Sequence, residues 1–257
     1  MIVTTSYAPS AEAKARAAAL ASELQSRYAP RGAASVRKLS AAYADTQVMV
    51  VTERDIQYYN GDQAPLFFHP SLSLIRYKRM MDGQPDTLMQ LSGAQPGDRV
   101  LDCTAGLATD AIVFAIAVGE QGQVTAIESA SALHMVVREG LREYETFSPS
   151  FNAAMRRVNM KLGNHLGVLR GMADRSVDIV YFDPMFRQPV EESSSIGPLR
   201  GISNPNPLAL ESIREALRVA RKSVVLKEHR DSGEFERLGF DLPPRTRTKI
   251  TYGVIHP

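Results

Sequence analysis

The stretch Val100-Leu-Asp-Cys-Thr-Ala-Gly-Leu-Ala-Thr-Asp110, followed by Val124-Thr-Ala-Ile-Glu-Ser129, decides the fold. Val100 and Leu101 close a short apolar run that reads as a buried strand. The small-residue turn Thr104-Ala105-Gly106 interrupts it, and the apolar spacing from Asp110 onward fits a helix packed on a sheet. Strand, turn, helix and strand in this order make half of a nucleotide-binding α/β unit. Gly106 admits close approach of a ligand to the backbone, because it carries no Cβ. Glu128 ends the second strand, roughly 20 residues after the turn, where an acidic side chain accepts both hydrogen bonds of a ribose diol.

Two cofactors compete for such a unit. A dinucleotide wants several glycines, so that its pyrophosphate can sit on the helix N-terminus. This turn has Gly106 with Ala105 and Ala108 beside it, and it carries the acidic Asp102 and Asp110. A phosphate would meet two carboxylates there. S-adenosylmethionine has no phosphate; its sulfonium and ammonium groups are cationic, and carboxylates are their natural partners. A strand-turn-helix inside an ordinary α/β core remains the alternative.

A second motif lies at Val177-Asp-Ile-Val-Tyr-Phe-Asp-Pro-Met-Phe186. Val177 to Phe182 is an apolar, β-branched and aromatic run that predicts a buried strand, with Asp183 and Pro184 at its carboxyl edge. Ligands of open α/β sheets bind at the carboxyl ends of strands, so this motif points to the same crevice as the first. An exocyclic amine on a base is a poor nucleophile, since its lone pair is delocalised into the ring. An acceptor pair, the Asp183 carboxylate with a carbonyl near Pro184, can hold both N–H groups and favour density on nitrogen. Phe186 can stack on a base held out of its helix. A strand end with a Pro turn and a core aromatic is the plain alternative.

Composition suits a compact enzyme of one large domain with a small appendage. The chain has 257 residues, with 30 Lys+Arg against 28 Asp+Glu and a net charge of +2, so a nucleic-acid surface must be local. The single cysteine, Cys103, excludes an intramolecular disulfide and multi-cysteine zinc sites, and reads as an apolar filler. No metal site is expected from the scattered histidines, His69 included. There is no signal-peptide pattern and no run of ~18 apolar residues, so a cytoplasmic protein without a membrane segment is expected.

Residues 1–65 read as a small N-terminal α+β module. It has a strand at Met1 to Thr5, and a helix over 11–28 with Ala11, Ala15, Ala18, Ala19 and Leu24 on one face. A hairpin pairs the strands beginning at Val48 and Ile56. Residues 66–81 interleave Arg76, Lys78 and Arg79 with Phe67, Phe68 and Tyr77, a pattern that holds a nucleic-acid backbone and stacks bases. An amphipathic helix with a solvated basic face has equal claim. Residues 130–144 predict a helix with Leu133, Val136, Val137 and Leu141 on one side. Asn164 stands where purine contacts often arise, although Gly163-Asn164 also reads as a turn. Residues 187–206 are a polar loop placed to act as a substrate lid. A helix over 207–221, a strand at 224–227 and a last edge strand from Lys249 finish the chain. Lys227, Arg230, Arg245, Arg247 and Lys249 either reach phosphates from one face or are scattered solvated charges.

Taken together, VLDCTAGLATD, AIES and YFDPMF resemble a class I S-adenosylmethionine-dependent methyltransferase, whose amino-directed members carry Asp/Asn-Pro-Pro-aromatic. Among these the chain is most similar to the bacterial small-subunit ribosomal RNA guanine-N2 methyltransferase family, with its Asp-Ala-Thr-Ala-Gly-Leu-Gly-Arg-Asp-Ala and Tyr-Leu-Asp-Pro-Met-Phe-Pro. The unusual shared Met strengthens the likeness, which spans roughly residues 66–257. The resemblance implies an α/β, doubly wound (Rossmann-like), mostly parallel sheet over 66–257, and S-adenosylmethionine as cofactor. It implies cofactor contacts at Thr109 and Asp110, Glu128 and Ser129, Asn164 and His165, and Asp183. It further implies RNA, in the small ribosomal subunit, as partner. Ala108-Thr109 stands in place of Gly-Arg, and Asn164-His165 in place of a small polar pair. Arg187 replaces a Pro and alters the lip of the substrate pocket. Two other readings stay open: an amino-methyltransferase for DNA or a small molecule, and a non-catalytic RNA-binding or assembly protein that keeps the fold.

Overall fold

Short β-branched runs and Ala-rich stretches alternate from the first residues, and strands and helices follow them. The structure is a computed structural model that describes residues 1–184, 206–243 and 248–257. These residues group into two units, one of 1–69 with 131–145 and one of 70–130 with 146–184, 206–243 and 248–257.

The first unit opens with β1 (Ile2–Thr5), α1 (Ala11–Glu23), β2 (Arg27–Tyr28), α2 (Val36–Tyr43), β3 (Gln47–Val51), β4 (Ile56–Asn60) and β5 (Leu66–Phe67). Its sheet runs β2-β1-β3-β4-β5. The expected hairpin is there, with Val51 opposite Ile56. Its turn is fastened by Thr52 Oγ1, which accepts from the backbone N–H of Asp55 at 2.9 Å. β1 pairs parallel with both β2 and β3, so α1 is the crossover of a βαβ turn. Ser10 caps α1, its Oγ accepting from Ala13 N at 3.0 Å. The buried face of α1 is Ala13, Ala17, Leu20 and Ala21, not the expected Ala11, Ala15, Ala18 and Ala19. Alanine occurs all round this helix and carries no phase information, so Leu20 sets the face. The helix also stops at Glu23, because Arg27 and Tyr28 are taken by β2.

The second unit continues with α3 (Ser71–Met81), α4 (Thr87–Ser92), β6 (Arg99–Asp102), α5 (Thr109–Val118) and β7 (Gln123–Glu128). The chain then gives α6 (Ser131–Glu143) to the first unit. It returns with α7 (Pro149–Arg156), β8 (Val158–Leu162), α8 (His165–Arg170), β9 (Val177–Phe182), α9 (Leu210–Val219), β10 (Ala220–His229), α10 (Glu234–Leu238) and β11 (Ile250–Ile255). The sheet order is β11-β10-β9-β6-β7-β8. β8, β7, β6, β9 and β10 are parallel, and β11 is an antiparallel edge. All six residues of β9 are buried, as a strand covered on both faces requires. On one face Leu101, Ile127, Val180, Phe182 and Leu226 pack with Ile213, Ala216 and Phe235 from the helices. On the other, α5 lays Phe114 edge-on to Tyr181, ring centroids 5.5 Å apart. Helices on both faces make the sheet doubly wound. β10 begins at Ala220, earlier than the expected 224, because Ala220 already pairs with Val177.

In the first unit α6 packs on β4 and β5. Its buried face includes the expected Leu133, Val136, Val137 and Leu141. Gly140 on this helix lies against Phe68, where an added Cβ would stand 2.2 Å from the ring. Glu139 is 3% exposed and is matched by Arg16 at 3.1 Å, Arg138 at 3.0 Å and Arg142 at 3.0 Å. A carboxylate stripped of water needs such donors, since desolvation alone would be costly.

Candidate active site

The strand order reverses between β6 and β9, and the crevice at their carboxyl ends collects the charged residues of the second unit. Register explains the convergence. Asp102 stands opposite both Ala126 and Tyr181, and Leu226 opposite Phe182, so Asp102, Glu128, Asp183 and Lys227 all fall at one edge of the sheet.

The turn after β6 is held by backbone hydrogen bonds. Asp102 Oδ1 accepts from Thr104 N at 3.0 Å, and Ala105 N donates to Ile127 O at 2.9 Å. Gly106 has φ +51°, a left-handed conformation suited to glycine, and its N–H donates to Glu128 Oε2 at 3.2 Å. Ala108 takes the same region at φ +59° where the similar family has glycine, at a cost of about 1–2 kcal/mol for an L-residue. Its methyl is fully buried at the start of α5. Thr109 and Asp110 then form the first turn of that helix.

Glu128 is 8% exposed. Its Oε1 accepts from Ala130 N at 2.8 Å and from Ser129 Oγ at 3.5 Å. Burial raises its pKa, against these hydrogen bonds and the one from Gly106. Asp102, buried at 1%, is likewise pushed up by desolvation.

Five charged groups alternate in sign across the crevice. Asp86 takes a bidentate pair from Arg76, Nε to Oδ2 and Nη2 to Oδ1, each 2.8 Å. Arg76 Nη1 also donates to Asp110 Oδ1. Asp110 Oδ2 accepts from Tyr181 OH at 2.8 Å and from Lys227 Nζ at 3.1 Å. Lys227 Nζ reaches Asp183 Oδ2 at 2.8 Å. Burial works against the Asp110 charge, yet Lys227 and Arg76 hold its pKa below the usual carboxylate range. Asp183 is pushed up to about 6, by burial and by the Asp110 charge, with Lys227 opposing. Lys227 stays charged beyond its ordinary range despite burial, held by Asp110 and Asp183.

Asn164 caps α8, its Oδ1 accepting from Leu166 N at 2.9 Å. His165 bonds Ser212 Oγ through Nε2 at 3.1 Å and lies edge-on to Phe182; burial lowers its pKa. Arg76, grouped by the sequence with Lys78 and Arg79 as an RNA contact, instead turns onto two carboxylates. Lys78 sits over the ring of the exposed Phe147, Nζ 4.7 Å from its centroid. Arg79 lines an open cleft with Gln84, Gln90 and Tyr252. Phe186, Arg187, Arg245, Arg247 and nearly all of the expected lid at 187–206 lie outside the described residues.

Lys227, read from sequence as a phosphate contact or a solvated charge, joins Asp110 and Asp183. The signal was available: a lysine ending an apolar strand run occupies the place that Asp102, Glu128 and Asp183 occupy on theirs. Thr104 reads from sequence only as part of the turn and Tyr181 only as part of a buried strand; no sequence signal marks their hydrogen bonds with Asp183 and Asp110.

The donor set fits S-adenosylmethionine. Asp102, Asp110, Glu128 and Asp183 outnumber the cations Arg76 and Lys227, so the crevice favours a cationic ligand and repels a phosphate. Both Glu128 oxygens, fixed by backbone N–H groups, retain lone pairs for ribose hydroxyls. Among the described residues no group of three or more His, Cys, Asp or Glu is arranged to hold a metal, and no helix is long and apolar enough to cross a membrane.

The family described as "Putative SAM-dependent methyltransferase" matches residues 36–235. Uncharacterized protein YpiP of Bacillus subtilis (strain 168) is 41% identical over 254 residues, covering 99% of this chain and 98% of its own. Ribosomal RNA small subunit methyltransferase J of Pseudomonas savastanoi pv. phaseolicola (strain 1448A / Race 6) is 29% identical over 183 residues, covering 66% of this chain and 65% of its own. The crystal structure of the SAM-dependent methyltransferase NGO1261 from Neisseria gonorrhoeae shares the fold, with a TM-score of 0.65 at 16% identity over 100% of this chain and 96% of that one.

Proposed function

This chain belongs to the family of S-adenosylmethionine-dependent methyltransferases, and we propose that it methylates an exocyclic amine of an RNA base, first among them guanine N2 of small-subunit ribosomal RNA. The observation that carries this reading is Asp183-Pro184 at the carboxyl end of β9, with the Asp183 carboxylate anchored on one oxygen by Lys227. The 29% identity to a ribosomal RNA methyltransferase supports RNA as the substrate class. The reaction is assigned to the second unit, within residues 66–257, with 1–65 the basis of an accessory module that also takes in 131–145, in the cytoplasm.

When bound, S-adenosylmethionine supplies an electrophilic methyl group on a sulfonium. Glu128 and Ser129 would hold its ribose, Asp102 and Asp110 with Thr109 its methionine end, Ala105 and Gly106 would admit it along the backbone, and Asn164 and His165 would hold the purine. Asp183 accepts one N–H of the target amine through Oδ1 and a carbonyl near Pro184 accepts the other, which aligns the nitrogen; positioning supplies most of the acceleration. As the nitrogen takes the methyl, the methyl–sulfur bond would break with its electron pair returning to sulfur, leaving the neutral thioether S-adenosylhomocysteine, and the amine, now cationic, would give up one proton. Asp183 takes that proton and passes it to water, its side chain being 25% exposed. Pro184 fixes the backbone beside it, Phe186 stacks on the base, and Lys78, Arg79 and Arg187 meet the RNA backbone.

The test is transfer of labelled methyl from S-adenosylmethionine to small ribosomal subunits, and to their naked RNA, from a strain lacking the gene. Methylated guanine in the digest is the expected product. Label in DNA or small amines alone, with none in either RNA form, would overturn the RNA reading.

A further inference from the structure

We propose that Lys227 is a positioning residue for methyl transfer: its ammonium, bridging Asp110 and Asp183, holds the Asp183 carboxylate as an acceptor for the target amine. This deepens the functional reading above and rests on Asp183 being that acceptor.

Among the described residues the titratable groups that bear on Asp183 are Lys227 on β10, Asp110 on α5, Asp102 at the end of β6, Tyr181 on β9 and Tyr252 on β11, with Arg76 on α3 acting through Asp110. Among the described residues Lys227 is the cation within hydrogen-bond distance of Asp183, at 2.8 Å. Asp110 makes that cation necessary. Two carboxylates sharing one site cannot both ionise freely, and one takes up a proton unless a positive charge lies between them. Asp110 is not the one to protonate, because it already receives Arg76 and Tyr181 OH. The strain of the pair therefore falls on Asp183.

A protonated Asp183 offers one of its oxygens as a donor and is a weaker acceptor for an amine N–H at the other. Lys227 prevents this in two ways. It lowers the cost of the Asp183 charge, and by taking Oδ2 it turns the carboxylate so that Oδ1 is left for substrate. Its own place is fixed by the sheet, since Lys227 is paired with Tyr252 across β10 and β11 while the next residue back, Leu226, stands opposite Phe182. The ammonium thus sits at a set depth beside the residue that follows β9.

The experiment uses the full chain with Lys227→Met, Lys227→Gln and Lys227→Arg, read by single-turnover rate against pH, S-adenosylmethionine affinity and thermal midpoint. Lys227→Met is expected to lose about 10²-fold in rate at pH 7. Its cofactor affinity should stay within a few-fold, and the acidic limb of its profile should move to higher pH, so that part of the loss returns on raising the pH. Lys227→Gln keeps a donor for Oδ2 without the charge and should show the same displaced limb, which serves if the Met variant does not fold. Lys227→Arg should retain the wild-type limb. A wild-type limb in the Met or Gln variant, with the rate falling only as the thermal midpoint falls, would make Lys227 a structural counter-ion and overturn the proposal. Asp183→Ala run in parallel separates the two ideas, because full activity there overturns the acceptor reading itself.

Discussion

The backbone N–H of Asp183 donates to Thr104 Oγ1 at 2.5 Å, which ties the end of β9 to the turn after β6. The residue proposed to meet the substrate amine and the turn proposed to meet the cofactor are therefore one mechanical piece. Thr104→Val keeps the shape and removes the acceptor, leaving a part-buried N–H without its partner. The expected result is a loss of about 1–3 kcal/mol in denaturant unfolding and a lower kcat with S-adenosylmethionine affinity nearly unchanged. A kcat equal to wild type would show that the tie has no bearing on transfer.

Asp183→Ala should lower kcat by about 10²–10⁴-fold, because it removes both the acceptor and the proton's destination. The wild-type protein carries a related signature. The Asp183 pKa is raised to about 6, and the proposed acceptor role requires the ionised form, so the rate should fall as pH drops through about 6 and level off above it. A flat profile between pH 5 and 8, measured on single turnover with folding verified by circular dichroism, would remove Asp183 from the chemistry.

Glu128→Ala should weaken S-adenosylmethionine binding by about 1–3 kcal/mol, through loss of hydrogen bonds to a charged group. Calorimetric titration reads this directly. The same substitution releases the N–H groups of Gly106 and Ala130, so Glu128→Gln, which keeps an acceptor oxygen, should lose less. Equal affinity in all three proteins would end the ribose assignment.

Gly140→Ala places a methyl carbon on the Phe68 ring, which is itself 4% exposed and stacked edge-on to Tyr144. Overpacking of this kind costs typically 1–3 kcal/mol. The thermal midpoint should drop by several degrees, while cofactor affinity, which depends on the second unit, should stay as it was. A midpoint unchanged within error would mean that Phe68 has room to move.

The sequence by itself determined the two strand-and-turn motifs and the place of the crevice. The run at Val177–Phe182 could only be a buried strand, Glu128 had to end its strand, and the turn from Asp102 to Asp110 had to lie between strand and helix. Each of these follows from local periodicity and from the lack of a Cβ at Gly106, properties that neighbouring residues fix among themselves. Only the tertiary structure decided that Arg76 turns inward to Asp110, 34 residues away, and that Lys227 meets the same carboxylate from 117 residues away. It also decided which side of α1 is buried and that β1 lies between two parallel partners. A charge looks the same in sequence whether it faces water or an opposite charge. Its employment is set by what the register of distant strands brings within 3 Å, and local pattern carries no record of that.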